Sequence, residues 1–202
     1  MSKQNIVIIK YNAGNIRSVS NALKRLGQSA EITDDKEKIA RADKVIFPGV
    51  GEASTTMEYL NGNGLSEIIP SITKPVLGIC LGMQLMSKHS EEGNTDGMGI
   101  FNNSVVKFKA QNEKHRHIKI PHMGWNRIFD LKSDLFDSSL EGDFVYFVHS
   151  YYMPKGTETV STTDYGIPFS SAVQHNNFFA TQFHPEKSGS VGERILRNFL
   201  KL

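Results

Sequence analysis

The first half of the chain alternates short apolar runs with segments of helical periodicity, and this alternation constrains the fold more than any other feature. The run Asn5-Ile6-Val7-Ile8-Ile9 is rich in β-branched residues, which is typical of a strand buried on both faces of a parallel sheet. A helix is predicted to begin at Gly14-Asn15 and to end at Gly27, since glycine favours helix C-termini. Its apolar residues recur at three- and four-residue steps: Ile16, Val19, Leu23 and Leu26.

The same alternation continues further along the chain. Strands are predicted at 44–47 and 75–79, and helices at 52–60 and 81–88. After about Val105 the pattern becomes β-rich, with predicted strands at 105–109, 144–152, 157–163, 171–175 and 178–182, before a final helix from about Ser190. We therefore predict an α/β fold with an open, mainly parallel sheet flanked by helices and with antiparallel additions in the C-terminal half.

Composition narrows the class of protein. The 202 residues are enough for one substantial core, so a single domain over 1–202 is expected. The net charge of +2 argues against nucleic-acid binding through bulk charge. Cys80 is the one cysteine, which excludes an intramolecular disulfide and a cysteine zinc cluster and fits a reducing cytoplasm. The first apolar run is too short for a signal peptide or a membrane span.

The segment Gly78-Ile79-Cys80-Leu81-Gly82 lies between a predicted buried strand and a predicted helix. This is the context of a nucleophile elbow, in which a reactive side chain sits on a sharp turn flanked by glycines. The helix N-terminus would stabilise a thiolate at Cys80 through its free N–H groups. The competing interpretation is a small buried hydrophobic cysteine, which the elbow context disfavours.

The segment Phe183-His184-Pro185-Glu186 follows the last predicted strand, so His184 is expected at a strand end, where α/β folds place catalytic groups. Glu186 is close enough in sequence to fix the tautomer of His184 and to stabilise its imidazolium form. Cys80, His184 and Glu186 are thus a candidate nucleophile, base and orienting carboxylate. Taken alone, the tripeptide is also compatible with an ordinary turn at the end of a strand.

A third segment, Pro48-Gly49-Val50-Gly51, follows the predicted strand at 44–47. In a parallel sheet it would lie at the same edge as the elbow. The flanking glycines allow the Val50 peptide to turn, so that its N–H and that of Leu81 could hold a tetrahedral oxyanion. The alternative is a common strand-to-helix turn.

These three segments, in this order, resemble the class I (triad) glutamine amidotransferases. More narrowly, the chain resembles the glutaminase subunits of imidazole glycerol phosphate synthases along its whole length. The narrower resemblance rests on three further segments: Tyr11-Asn12-Ala13-Gly14-Asn15, His122-Met123-Gly124-Trp125-Asn126 and Phe147-Val148-His149-Ser150-Tyr151.

The resemblance implies an activity and a set of site residues. It implies hydrolysis of L-glutamine by Cys80, His184 and Glu186, an oxyanion hole at Val50 and Leu81, and no cofactor or metal. Substrate contacts are implied for Gly49, Gly51, Gln84, His149, Ser150 and Tyr151. The competing interpretations are a glutamine on a helix surface for Gln84 and an exposed strand edge for the last two residues.

The resemblance also implies a partner, a (β/α)₈-barrel cyclase subunit that forms a heterodimer with this chain and receives its ammonia in the histidine pathway. Neither nucleic acid nor a membrane is implied. The residues that match the partner face are Asn15, Trp125, Asn126, Tyr146 and Lys187. Because Trp125 is the single tryptophan, a core position for it competes with an interface position.

Two other functions stay open at this point. The chain could be the glutaminase of a different amidotransferase, such as a pyridoxal phosphate synthase, which the segments 122–126 and 147–151 argue against, or a paralogue that supplies a sugar-modifying enzyme, which they do not exclude. It could also be an inactive regulatory subunit, although the intact Cys80, His184 and Glu186 argue against that. A basic stretch that includes His115 and His117 hints at a metal, but it has no carboxylate or cysteine at ligand spacing. A solvated hairpin is the preferred interpretation of that stretch.

Overall fold

A computed structural model describes residues 4–11, 15–109 and 118–202. Gly14, at the predicted start of the first helix, and most of the basic stretch, including His115 and His117, lie outside these ranges. The strands are β1 Ile6–Ile9, β2 Ala30–Thr33, β3 Lys44–Gly49, β4 Val76–Cys80, β5 His89–Ser90, β6 Thr95–Asp96, β7 Ser104–Lys107, β8 His122–Arg127, β9 Phe144–His149, β10 Tyr151–Tyr152, β11 Thr159–Asp164, β12 Pro168–His175 and β13 Phe178–Thr181. The α-helices are α1 Ile16–Arg25, α2 Lys36–Ala40, α3 Ala53–Gly62, α4 Leu65–Ser71, α5 Leu81–Leu85 and α6 Gly189–Lys201.

A seven-stranded sheet forms the centre of the fold, in the order β11-β12-β13-β4-β3-β1-β2. The pairs between β13, β4, β3, β1 and β2 are parallel, whereas β11, β12 and β13 pair in antiparallel fashion. The predicted fold class, with its antiparallel additions in the C-terminal half, is therefore confirmed. A smaller sheet has the order β10-β7-β5-β6, and β8 and β9 form a two-stranded sheet.

The central sheet separates two apolar layers. Side chains alternate between the two faces of a strand, so Ile6 and Ile8 join the layer that contains α1 and α6, while Val7 and Ile9 join the layer that contains α2 to α5. All four are buried, and each stabilises the fold by about 1.5–3 kcal/mol relative to an exposed side chain. Burial on both faces explains why β1 has no alternation of apolar and polar residues.

The first helix ends as its glycine predicts. Gly27 has a φ of 74° and donates its N–H to the carbonyl of Lys24, and Gln28 donates to the carbonyl of Leu23. These two hydrogen bonds form a Schellman motif, which satisfies carbonyls that the helix leaves free. The turn returns the chain to the sheet edge, where β2 begins.

Six elements were missed by the sequence analysis, and each lacks the expected pattern. β2 lies at the sheet edge and buries only Thr33, α2 has five residues, α4 contains Pro70, β8 contains Gly124, and β5 and β6 have two residues each. One further prediction needs correction: the helix expected over 81–88 ends at Leu85.

The early end of α5 has a local cause. The Ser87 hydroxyl donates to the carbonyl of Gln84 at 2.6 Å and so satisfies one of the terminal carbonyls of the helix. The chain then enters β5 at His89.

Within the described residues, no helix has the length and apolar character needed to cross a bilayer.

Candidate active site

Cys80 occupies a strained turn between β4 and α5. It has a φ of 53° and a ψ of −107°, values that residues other than glycine rarely adopt. Gly82 is needed because the turn packs directly on the main chain of β3: a Cβ atom there would lie 2.0 Å from the carbonyl oxygen of Phe47. The structure therefore has the strand-turn-helix geometry of a nucleophile elbow at Cys80.

His184 and Glu186 form a buried pair beyond the end of β13. The His184 Nδ1 atom lies 2.8 Å from Glu186 Oε1, and both side chains are fully buried. A carboxylate only accepts hydrogen bonds, so Nδ1 carries the proton. Asn15 also donates its amide to Glu186 Oε1, although the resemblance implies a place for it on the partner face. The backbone of His184 is fixed by hydrogen bonds with Tyr146 and Ser188.

The electrostatics of this pair favour a charged imidazole. Burial by itself lowers the pKa of His184, but a Cys80 thiolate and the Glu186 carboxylate together outweigh it and raise the pKa to about 10. The His184 Nε2 atom is buried and has no hydrogen-bond partner among the residues that the structure describes. His184 can therefore hold a proton on the nitrogen opposite Glu186, where a leaving group would need one.

A pocket of about 320 Å³ opens beside Cys80. The predicted oxyanion residues Val50 and Leu81 line it. Five of the six residues predicted to contact substrate also line it: Gly51, Gln84, His149, Ser150 and Tyr151. Three lining residues were missed by the sequence analysis: Glu92, Pro121 and Val148.

Within the described ranges, the pocket lining does not include the sixth residue, Gly49. Gly49 instead allows β3 to approach the elbow, since a Cβ atom there would lie 2.5 Å from the nitrogen of Gly82 and 2.6 Å from the Cβ of Leu81. The Tyr11 hydroxyl donates to the carbonyl oxygen of Pro48 at 2.5 Å and fixes the peptide that precedes Gly49. Gly49 thus has a packing role in this structure.

Gln84 is buried, so its interpretation as a helix-surface glutamine is wrong. Its Nε2 atom donates to the carbonyl of Tyr151 at 3.0 Å and to Gln182 Oε1 at 2.9 Å. The amide of Gln182 then donates to Cys80 Sγ at 3.6 Å. The sequence analysis placed Gln182 in a predicted strand and gave it no role in the site. The signal for such a role is a polar residue directly before the segment that contains His184.

Glu92 is the missed residue with the clearest chemistry. One of its carboxylate oxygens accepts from the backbone N–H of Ala53 at 3.0 Å. Burial raises the pKa of Glu92, and the neighbouring Glu52 adds to that effect. The carboxylate lies on the pocket wall and can meet a cationic group of a ligand. No sequence signal marked it, because it lies in a polar segment without a motif.

Three of the residues predicted at a partner face lie together on the surface. Trp125 is 53% exposed, so a core position for it is wrong. Its ring lies 5.9 Å from the ring of Tyr146 in an edge-to-face arrangement, and Lys187 Nζ lies 6.0 Å from the centre of the Tyr146 ring. Asn126 follows Trp125 in β8 and so lies on the other face of the strand, where its amide donates to the carbonyl of Asp164 at 2.9 Å.

Comparison with known proteins agrees with this geometry. The family model for class-I glutamine amidotransferases matches residues 7–202. Imidazole glycerol phosphate synthase subunit HisH of Bacteroides fragilis (strain YCH46) is 60% identical to the chain, over 98% of this chain and 99% of that protein. The chain belongs to the HisH family of class-I glutamine amidotransferases.

More distant HisH proteins extend the match. Subunit HisH of imidazole glycerol phosphate synthase from Escherichia coli (strain K12) is 41% identical, over 98% of this chain and 100% of that protein. Among solved structures, a glutamine amidotransferase shares the fold of this HisH family member with a TM-score of 0.72 at 20% identity, over 96% of this chain and 97% of the other. PurLQS from Thermotoga maritima has a TM-score of 0.70 at 18% identity, over 98% of each chain.

Among the described residues, no group of three or more histidine, cysteine, aspartate or glutamate side chains is placed to hold a metal ion. The arrangement offers a thiol on the wall of a pocket and a histidine with a buried carboxylate partner. This is the combination needed for nucleophilic attack on a carboxamide.

Proposed function

We propose that this HisH family member hydrolyses L-glutamine to glutamate and ammonia, and delivers the ammonia to a cyclase subunit that makes imidazole glycerol phosphate and aminoimidazole carboxamide ribotide in histidine biosynthesis. The observation that carries the proposal is the buried pair of His184 and Glu186, with Cys80 close enough to His184 to raise its pKa and itself in the lining of a pocket. The proposal is further supported by relatives named as subunit HisH of imidazole glycerol phosphate synthase.

In the first half-reaction, the Cys80 sulfur attacks the carboxamide carbon of glutamine. The N–H groups of Leu81 and Val50 hold the oxyanion of the tetrahedral intermediate. As the carbon–nitrogen bond breaks, Nε2 of His184 gives its proton to the departing nitrogen, which leaves as ammonia. The product is a glutamyl thioester on Cys80, and Glu186 keeps the imidazole oriented throughout.

In the second half-reaction, water attacks the thioester carbon. His184 accepts a proton from the water, and the same two N–H groups hold the second oxyanion. Collapse of this intermediate breaks the carbon–sulfur bond, so that glutamate and the Cys80 thiolate are released together with a protonated His184. The site then returns to its starting charges without a metal or a redox step.

The pocket offers matching groups for the amino-acid end of glutamine. The partly buried Glu92 carboxylate suits the α-ammonium group, because a charge-assisted hydrogen bond compensates the burial of both charges. Ser150 and Tyr151 also line the pocket, and the N–H of Ser150 makes no hydrogen bond to any described residue, so it is available to the α-carboxylate. A glutamine analogue that lacks the α-ammonium or the α-carboxylate group should bind weakly.

A partner is part of the proposal. Ammonia that escapes into neutral water is protonated and loses its nucleophilicity, so the subunit needs a sheltered path to its acceptor. We assign this role to a (β/α)₈-barrel cyclase that forms a heterodimer through the surface cluster of Trp125, Tyr146 and Lys187. We assign the complex to the cytoplasm, an assignment that the proposed pathway and the single cysteine support.

The decisive experiment replaces Cys80 with alanine. The variant, assembled with its cyclase partner, should lose glutamine-dependent product formation, since the chain has no second thiol. It should keep product formation from added ammonium, because the acceptor site is untouched. An electrophilic glutamine analogue should add once to the wild-type chain and not to the variant, as measured by mass spectrometry. Glutamine-dependent turnover by a pure Cys80→Ala protein would refute the proposed mechanism.

A further inference from the structure

Two buried histidines outside the proposed chemistry contact each other across the β8–β9 pair. His122 and His149 are direct partners in the ladder and are 3% and 6% exposed. His122 Nδ1 lies 3.0 Å from His149 Nε2. His149 Nδ1 lies 2.7 Å from the carbonyl oxygen of Tyr151, on the pocket wall. We call His122 and His149 the histidine pair.

The hydrogen bonds fix the tautomer of each ring. The carbonyl of Tyr151 can only accept, so the proton of His149 is on Nδ1 and its Nε2 accepts. His122 must then donate from Nδ1, which leaves its Nε2 as an acceptor facing the Asn126 amide at 3.4 Å. Burial keeps both rings neutral, because it lowers the pKa of His122 to about 4 and that of His149 to about 3.

The carbonyl of Tyr151 is the point where this chain of hydrogen bonds meets the nucleophile. It accepts a second hydrogen bond, from Gln84, whose amide also donates to Gln182. Gln182 in turn donates to the sulfur of Cys80. One continuous set of hydrogen bonds therefore connects β8 to both the pocket wall and the nucleophile.

Packing holds the His122 ring in the plane that its hydrogen bond requires. It is stacked on Tyr165 at 3.9 Å and on Phe147 at 4.8 Å between ring centres. A phenylalanine at this position would keep both stacking contacts and lose the hydrogen bond. An asparagine would keep a donor near the position of Nδ1 and lose most of the stacking. The two substitutions thus separate the two roles of the ring.

We infer that His122 is a positioning residue of the glutaminase site: acting through His149, it fixes the Tyr151 carbonyl and with it the wall that meets glutamine. This inference rests on the proposed function. Without the His122 donor, His149 Nε2 becomes a buried acceptor without a partner, and the imidazole can rotate or exchange tautomers. The bond to Tyr151 then loses its fixed geometry, and the pocket wall moves relative to Cys80.

The test compares three variants in the full-length protein with its cyclase partner. His122→Phe should raise the KM for glutamine by about tenfold or more, which is the range expected for one broken buried hydrogen bond. His122→Asn should stay within about threefold of wild type. The matched control is His175→Phe, at a half-exposed histidine, which should leave the KM for glutamine unchanged. Ammonium-dependent product formation should be equal in all three, so that altered docking is excluded.

A second measurement needs no variant. Long-range ¹H–¹⁵N spectra of the wild-type protein near neutral pH should show both rings neutral and protonated on Nδ1. A proton on Nε2 of either ring, or equal KM values for His122→Phe and His122→Asn, would overturn the inference. If the wild-type complex does not hydrolyse glutamine, the proposed function fails, while the spectra still decide whether the histidine pair has the inferred tautomers.

Discussion

Replacement of Glu186 with glutamine tests whether the carboxylate supports catalysis or merely closes a turn. In the structure, Glu186 Oε1 accepts hydrogen bonds from His184 and Asn15, and Oε2 is buried without a partner among the described residues. Glutamine can put its carbonyl oxygen in the place of Oε1 and keep both bonds. Its NH₂ group then takes the place of Oε2. The substitution therefore removes a charge while it preserves the shape of the side chain.

The expected loss follows from the missing charge. An imidazolium and a carboxylate at about 4 Å attract each other by about 4 kcal/mol at an effective dielectric constant of about 20. In the second half-reaction His184 starts neutral and gains a proton as water attacks, so without this attraction that transition state rises in energy by about the same amount. Since about 1.4 kcal/mol corresponds to tenfold, the turnover number should fall about 1,000-fold. The buried, unpaired NH₂ group should also lower the free energy of unfolding by about 1–3 kcal/mol.

The assay measures glutamate release at saturating glutamine near neutral pH, with the cyclase partner present. Thermal unfolding monitored by circular dichroism checks that the variant is folded under these conditions. Glu193→Gln is the matched control, because that carboxylate pairs with Arg25 at the surface and is not part of the pocket lining. A Glu186→Gln rate within about tenfold of wild type would refute the reasoning and would leave Glu186 as a turn residue.

Three further predictions concern other parts of the molecule. Trp125→Ala should weaken binding of the cyclase partner, measured by calorimetry, and a Kd within about threefold of wild type would remove Trp125 from the interface. Tyr11→Phe should lower the free energy of unfolding in urea by about 1–3 kcal/mol, because a carbonyl beside the oxyanion segment loses its donor; an unchanged midpoint would contradict this. Because the folded-state pKa values of His122 and His149 lie at about 4 and about 3, unfolding takes up protons below the unfolded value, and stability should fall as the pH drops below about 6.5. The slope should reach about 1.4 kcal/mol per pH unit for each ring, and His122→Asn should have a shallower slope than wild type.

The sequence predicts the central sheet well because its parallel strands are buried on both faces. The continuous apolar runs of β1, β3 and β4 have no other plausible environment, and the helix after β1 carries both a regular apolar stripe and a terminal glycine. Elements at the margin leave a weaker pattern. The edge strand β2 buries one residue, and α4 continues through Pro70, so the local sequence pattern predicts neither element.

In the site, residues that belong to local sequence motifs could be predicted, whereas residues brought in by long-range contacts could not. The elbow at Cys80 and the segment around His184 are local motifs, and chain order alone is enough to recognise them. Contacts made across the fold are not encoded in that way. Glu92 lines the pocket although it lies in a polar segment without a motif, and Asn15 contacts Glu186 although the two are 171 residues apart in the chain. Only the folded chain brings such residues together.

The contact between Gly82 and the Phe47 carbonyl has a consequence for how this enzyme can change over time. The main chains of Gly82 and Phe47 approach each other so closely there that a Cβ atom on Gly82 would lie 2.0 Å from the Phe47 carbonyl oxygen. The spacing between Cys80 and the Val50 segment is therefore set by peptide units and not by the volumes of core side chains. Exchanges among aliphatic residues in either apolar layer can alter stability while that spacing stays the same. The core can drift in sequence, whereas even one added methyl group at Gly82 would separate the nucleophile from the groups that stabilise its intermediate.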